Sequence, residues 1–134
     1  MRILIVDDDT DLTELLRLVF ESKGFGVTIA YNGEQTLEIL EEELPEVVLL
    51  DLMMPGIGGL DVCRQIRSNP RTSNIPIIVL TAKADSESKR ELKQAGAVDY
   101  LVKPVDTSDL IERMYEVVFQ SDMATTNASK VLCR

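Results

Sequence analysis

Four short runs of Ile, Val and Leu without polar alternation pass through this chain, and each stops at a residue that can handle a metal ion or a phosphate. Ile3-Leu4-Ile5-Val6 leads into Asp7, Asp8 and Asp9, and Val47-Val48-Leu49-Leu50 leads into Asp51. Ile77-Ile78-Val79-Leu80 leads into Thr81, and Tyr100-Leu101-Val102 into Lys103 and Pro104. A strand with one wet face alternates apolar and polar residues. Uninterrupted runs of this length suit strands buried on both faces, as in a parallel sheet with helices on either side. Parallel strands point the same way, so all four polar endings share one edge, and open parallel sheets bind ligands outside the carboxyl ends of their strands. Clustered carboxylates, a hydroxyl and an ammonium are therefore expected to converge there.

Helical periods fill the spaces between the runs, which makes the chain α/β with right-handed crossovers. Leu12, Leu15, Leu16, Val19 and Phe20 repeat at helical spacing up to Gly24, read as a C-terminal cap, and Val27-Thr28-Ile29-Ala30 follows as a second strand. Asn32-Gly33 opens a second helix with Leu37, Leu40 and Leu44 on one face and Glu41-Glu42-Glu43 on the solvated one, ending before Pro45. A third helix runs from about Gly59 to Ser68, with Leu60, Val62, Cys63 and Ile66 inward, and Asn69-Pro70 breaks it. The fourth, Ser86 to Ala95, has Leu92 as its one large apolar residue and should lie at the low end of local stability. Asp106 is placed to cap a fifth helix, with Asp109 in its first turn and a stripe of Leu110, Ile111, Met114, Val117 and Val118. From Ser121 onward neither period is present, so residues 1–120 are expected to form one domain and 121–134 a tail or linker.

With 134 residues, the chain has length for one domain and its core. A net charge of −9 argues against binding nucleic acid or anionic membrane through its own surface, since both rely on basic patches. Two cysteines without a C-x-x-C motif, and no histidine, remove the usual zinc sites and any histidine-dependent triad. The apolar start meets aspartates after one strand's length, too soon for a signal-peptide core, so a reducing cytoplasm is the expected setting.

Asp7, Asp8 and Asp51 would bring three carboxylates to adjoining strand ends. Two unit charges about 4 Å apart repel by ~4 kcal/mol at an effective dielectric of ~20, so the cluster calls for protonation or a cation. All-oxygen ligation suits Mg²⁺, which combines one or two carboxylates with phosphate oxygens and water. Lys103 adds a fixed positive charge, Thr81 a hydroxyl donor, and an ionised Asp a nucleophile, which together fill the roles of phosphoryl transfer to an aspartate. Taken singly, each residue is an ordinary turn, cap or loop residue. Five of them at the ends of four strands on one edge favour the joint reading.

These residues resemble the receiver domains of bacterial two-component response regulators. The resemblance spans Arg2 to about Gln120 and rests on Ile5-Val6-Asp7-Asp8-Asp9, Leu50-Asp51-Leu52-Met53-Met54-Pro55-Gly56, Val79-Leu80-Thr81-Ala82 and Ala95-Gly96-Ala97-Val98-Asp99-Tyr100-Leu101-Val102-Lys103-Pro104, in the family's order. It implies a flavodoxin-like, doubly wound sheet of five parallel strands in the order 2-1-3-4-5 with five helices. It further implies that Asp51 accepts a phosphoryl group from a histidine kinase or phosphotransfer protein, with Mg²⁺ held by Asp8, Asp51 and the Met53 backbone carbonyl and by Asp7 through water. Lys103 would contact the phosphoryl group, the Lys103-Pro104 bond is often cis in the family, and Thr81 and Tyr100 would form a switch pair. The implied output is a protein or effector domain met at the face of the fourth helix, fifth strand and fifth helix, through which many relatives also form homodimers. Such a domain signals and catalyses only its own phosphorylation and dephosphorylation.

Other classes fit less well. A haloacid-dehalogenase-type phosphatase wants a second Asp two residues after its nucleophile, where this chain has Met53, and places that nucleophile on its first strand. A flavodoxin-like electron carrier would need a phosphate loop where this chain has aspartates, which would repel an FMN phosphate. No Gly-x-x-x-x-Gly-Lys loop occurs.

Overall fold

A computed structural model describes residues 1–82 and 85–119 of the chain. Strands and helices alternate: β1 (Arg2–Val6), α1 (Thr10–Ser22), β2 (Gly26–Ala30), α2 (Gly33–Glu42), β3 (Val47–Asp51), α3 (Gly59–Ser68), β4 (Ile77–Thr81), α4 (Ser86–Ala95) and β5 (Asp99–Val102). A fifth helix, α5, covers residues 107–119. All strand pairs are parallel and the order is β2-β1-β3-β4-β5, the expected doubly wound arrangement. The expected tail, 121–134, lies outside the described residues.

Each apolar run feeds two cores. Leu4, Val6, Val48, Leu50, Ile77 and Val79 pack with Leu40, Val62, Cys63, Ile66 and Leu92 of α2, α3 and α4. Their neighbours Ile3, Ile5, Val47, Leu49, Ile78 and Leu80 pack on the opposite face with Leu16 and Phe20 of α1 and Leu110 and Met114 of α5. The period of two along a strand sends successive side chains to opposite sheet faces, which is why no polar residue interrupts the runs.

Short-range chemistry sets the helix ends. Asp9 accepts the backbone N–H groups of Asp11 and Leu12 at the start of α1, Asn32 accepts that of Gln35 in α2, and Asp106 accepts those of Ser108 and Asp109 at 2.9 and 3.3 Å. Two expected stripe residues are half exposed: Leu15 on α1, and Leu44, which lies beyond the end of α2. Three buried positions per two turns already satisfy α1, and the chain leaves α2 at Glu43 to enter Pro45 extended. At the end of α1 the cap residue is Lys23; Gly24 follows it with φ +89°, the left-handed conformation that suits glycine.

Candidate acidic phosphoryl-transfer site

The strand register gathers the site. β1 pairs with β3 so that Val6 lies opposite Leu50, which puts Asp7 and Asp51 at adjoining strand ends. One carboxylate oxygen from each of Asp7, Asp8 and Asp51 falls within a group whose members all lie within 4.8 Å of one another. Asp7 and Asp51 are buried, whereas Asp8 is exposed at the mouth. Lys103, arriving from the far side of the sheet after β5, reaches Asp7 Oδ2 at 2.9 Å and Asp51 Oδ1 at 3.5 Å. The Lys103-Pro104 peptide bond is cis.

Backbone contacts hold these groups. The Asp9 N–H donates to Asp7 Oδ1 at 3.0 Å, so the residue that caps α1 also orients the first buried carboxylate. The Met53 N–H donates to Asp51 Oδ1 at 3.3 Å from the loop after β3. Thr81 is fully buried at the end of β4, one residue past the Asp51 partner Leu80, and its carbonyl accepts the Lys103 N–H at 2.8 Å. Tyr100 pairs with Val79 on β4, and side chains of paired residues share a sheet face, so its ring lies on the Thr81 side one pleat below.

Electrostatics follow from burial. Loss of water and the neighbouring Asp7 charge push the Asp51 pKa from its ordinary 3.8 to about 6, although Lys103 and the Met53 N–H pull the other way. Burial lowers the Lys103 pKa, but its hydrogen bond to Asp7 and the charges of Asp7 and Asp51 outweigh that, and the net displacement is upward. Lys103 is thus held in its cationic form, while burial beside Asp7 favours the protonated form of Asp51. Cys63, whose thiol burial pushes up, is inert packing between α3 and the sheet.

Besides the Asp9 cap, three functional features lie outside the sequence motifs. Gly59, the first residue of α3, has no room for a side chain: a Cβ would stand 2.6 Å from the Asp51 carbonyl and 2.8 Å from Leu52 Cα. Arg67 donates to the carbonyls of Gly96, Ser73 and Ile75, tying α3 to the end of α4 and the start of β4. Lys89 of α4 lies 5.4 Å from the centroid of the Tyr100 ring. The Asp9 cap alone had a sequence signal, an Asp immediately before a periodic apolar stretch.

Comparison with known proteins agrees with this geometry. The model of the response regulator receiver domain family matches residues 3–115. The chain is 42% identical over 113 residues to the DNA-binding response regulator MtrA of Mycobacterium tuberculosis H37Rv, a match covering 84% of this chain and 48% of MtrA, so it spans about half the length of that relative. Among solved structures it resembles a CheY-like response regulator receiver domain protein of Methanospirillum hungatei JF-1, with TM-score 0.86, 29% identity, and 92% and 97% of the two chains covered. It also resembles the receiver domain of the sensor histidine kinase PA1611 of Pseudomonas aeruginosa PAO1, with TM-score 0.80, 29% identity and 87% and 96% covered; that structure holds a magnesium ion in its active-site cleft. With the 2-1-3-4-5 sheet and the acidic edge in place, this chain belongs to the receiver domains of two-component response regulators.

Proposed function

We propose that Asp51 is the phosphoacceptor of this receiver domain, taking its phosphoryl group from a histidine kinase or phosphotransfer protein. The observation that carries the reading is the convergence of Asp7, Asp8 and Asp51 with Lys103 set against two of them. An Asp51 oxygen attacks phosphorus, the bond from phosphorus to the donor nitrogen breaks, and the product is an acyl phosphate on Asp51. Lys103 supplies positive charge for the incoming oxygens, and Thr81, at the adjoining strand end, supplies a hydroxyl to one of them.

The donor set fits a hard divalent cation: three carboxylates, one of them exposed, with the Met53 carbonyl on the neighbouring loop. Asp8, Asp51 and the Met53 carbonyl would hold Mg²⁺, with Asp7 acting through water, and the ion would neutralise charge on the phosphoryl oxygens. Asp8→Ala is expected to weaken Mg²⁺ binding at least tenfold in a calorimetric titration while leaving the fold intact, because Asp8 is exposed and in the described structure bonds no backbone group. Equal affinity in variant and parent would remove Asp8 from the site.

The output is read by a protein or effector domain at the face of α4, β5 and α5, through which a second copy could also associate. Direct DNA contact by this chain is not part of the reading, since its net charge of −9 disfavours it. The domain's only catalysis is its own phosphorylation and dephosphorylation, and its setting is the cytoplasm; no described helix is long and apolar enough to cross a membrane.

Incubation with acetyl phosphate and Mg²⁺, followed by reductive trapping of the acyl phosphate and peptide mapping, tests the assignment. One phosphoryl group on the peptide containing Asp51 is expected. A label elsewhere, or none, would overturn it.

A further inference from the structure

Among the described residues, helix α4 buries side chains only towards its C-terminal end. Its buried side chains, Leu92 and Ala95, both fall in the last turn, and its cap Gly96 takes φ +102°. The Arg67 guanidinium fastens that cap, donating from Nε to the Gly96 carbonyl at 2.9 Å and from Nη1 to the Ser73 and Ile75 carbonyls at 3.1 and 2.6 Å. From Ser86 to Glu91 no side chain is buried, so this half can tilt about the fixed end at small cost.

Lys89 stands on the loosely held half, with its ammonium 5.4 Å from the Tyr100 centroid. Lys89, Leu92, Lys93, Val98 and Tyr100 line a surface groove of about 320 Å³ between α4 and β5. The ring is half-buried in this groove, on the same sheet face as Thr81. The negative face of a phenol ring attracts a cation, and Lys89 is exposed, so the contact forms without the cost of stripping water from a buried charge.

We propose that Lys89 is a positioning residue that holds the Tyr100 ring in the outer groove through a cation–π contact and so biases the domain toward its resting arrangement. This rests on the reading of Thr81 and Tyr100 as the switch pair. When the ring turns toward Thr81 it leaves the ammonium, and a tilt of the first half of α4 carries Lys89 off the ring. The latch and the phosphorylated site therefore pull on the same two-state element from opposite sides. An exposed contact of this kind shifts such an equilibrium about two- to five-fold.

The test follows the isotope-labelled Tyr100 ring resonance of the full chain by NMR, assigned with Tyr100→Phe, before and after beryllofluoride and Mg²⁺. In Lys89→Gln the population at the beryllofluoride-shifted position is expected to rise about two- to five-fold before any beryllofluoride is added. The half-saturating beryllofluoride concentration should fall by about the same factor, since the competent state is no longer scarce. Lys89→Arg should match the parent because the cation is kept, and Lys93→Gln should match it because neutralising a second groove lysine leaves the ring contact in place. If beryllofluoride moves the ring while Lys89→Gln coincides with the parent, or if Lys93→Gln acts equally, the latch is wrong and the switch reading stands. If beryllofluoride leaves Tyr100 of the parent unmoved, the switch reading fails and the latch falls with it.

Discussion

Asp51→Asn is expected to abolish phosphoryl uptake from acetyl phosphate and, in chelator, to make the domain more stable at pH 7 to 8 than the parent. The loss is chemical, since an amide oxygen cannot form the acyl phosphate. The gain follows from linkage. The Asp51 pKa is raised from 3.8 to about 6 by burial and by Asp7, so the folded state holds the proton more tightly than the unfolded chain. The contribution of the neutral acid to stability is complete below pH 4 and is lost as pH rises through about 6. Above that, the parent keeps an ionised carboxylate in a poorly hydrated place beside a second one, whereas Asn carries no charge. A displacement of about two units corresponds to at most ~3 kcal/mol at ~1.4 kcal/mol per unit, a net figure in which the opposing attraction of Lys103 is already contained. Urea unfolding at a series of pH values reads this directly. A stability difference that is the same at pH 4 and pH 7.5 would contradict the proposed electrostatics, and residual labelling of the variant would contradict the acceptor assignment.

Gly59→Ala should cost about 3 kcal/mol, while Gly58→Ala one residue earlier should change stability by less than about 0.5 kcal/mol. Propensity alone gives the opposite sign at position 59, because alanine inside a helix is favoured over glycine by about 1 kcal/mol. Steric contact decides. The new Cβ at position 59 would lie 2.6 Å from the Asp51 carbonyl and 2.8 and 2.9 Å from Leu52 Cα and carbonyl, and all three are backbone atoms that cannot swing aside. Either α3 moves out, opening the core around Val62 and Cys63, or the end of β3 shifts and takes the Asp51 carboxylate with it. At Gly58 a Cβ meets nothing within 4 Å. Thermal unfolding of both variants separates the cases, and equal stability of the two would show that the close approach of α3 to β3 can relax freely.

The acidic site was legible because its members are strand endings. An apolar run of four residues marks a buried strand, parallel direction puts all the endings on one edge, and the register then has little freedom to do anything except bring Asp7 and Asp51 together. Lys103 was legible for the same reason, at the end of the fourth run. What the motif does not carry is how the members share charge: that Lys103 lies closer to Asp7 than to Asp51, that Asp8 stays exposed, and that Asp9 spends its side chain on the α1 cap while its N–H orients Asp7. Those outcomes depend on side-chain positions set by packing from several elements at once.

Hydrophobic period and turn chemistry were enough, from the chain alone, for the five strands, the helices between them and the edge where the chemistry lies, since each depends on residues within about ten positions of one another. Only the tertiary structure decided which apolar residues stay outside, because Leu15 and Leu44 are as hydrophobic as Leu16 and Leu40 and differ only in the direction a folded helix turns them or in where it ends. The same holds for Gly59 beneath Asp51, for Arg67 across three carbonyls of two distant segments, and for Lys89 over Tyr100. A glycine, an arginine and a lysine on helices are locally unremarkable; their meaning comes from contacts with other elements of the fold, up to 29 residues away for Arg67, which no helical or strand period encodes.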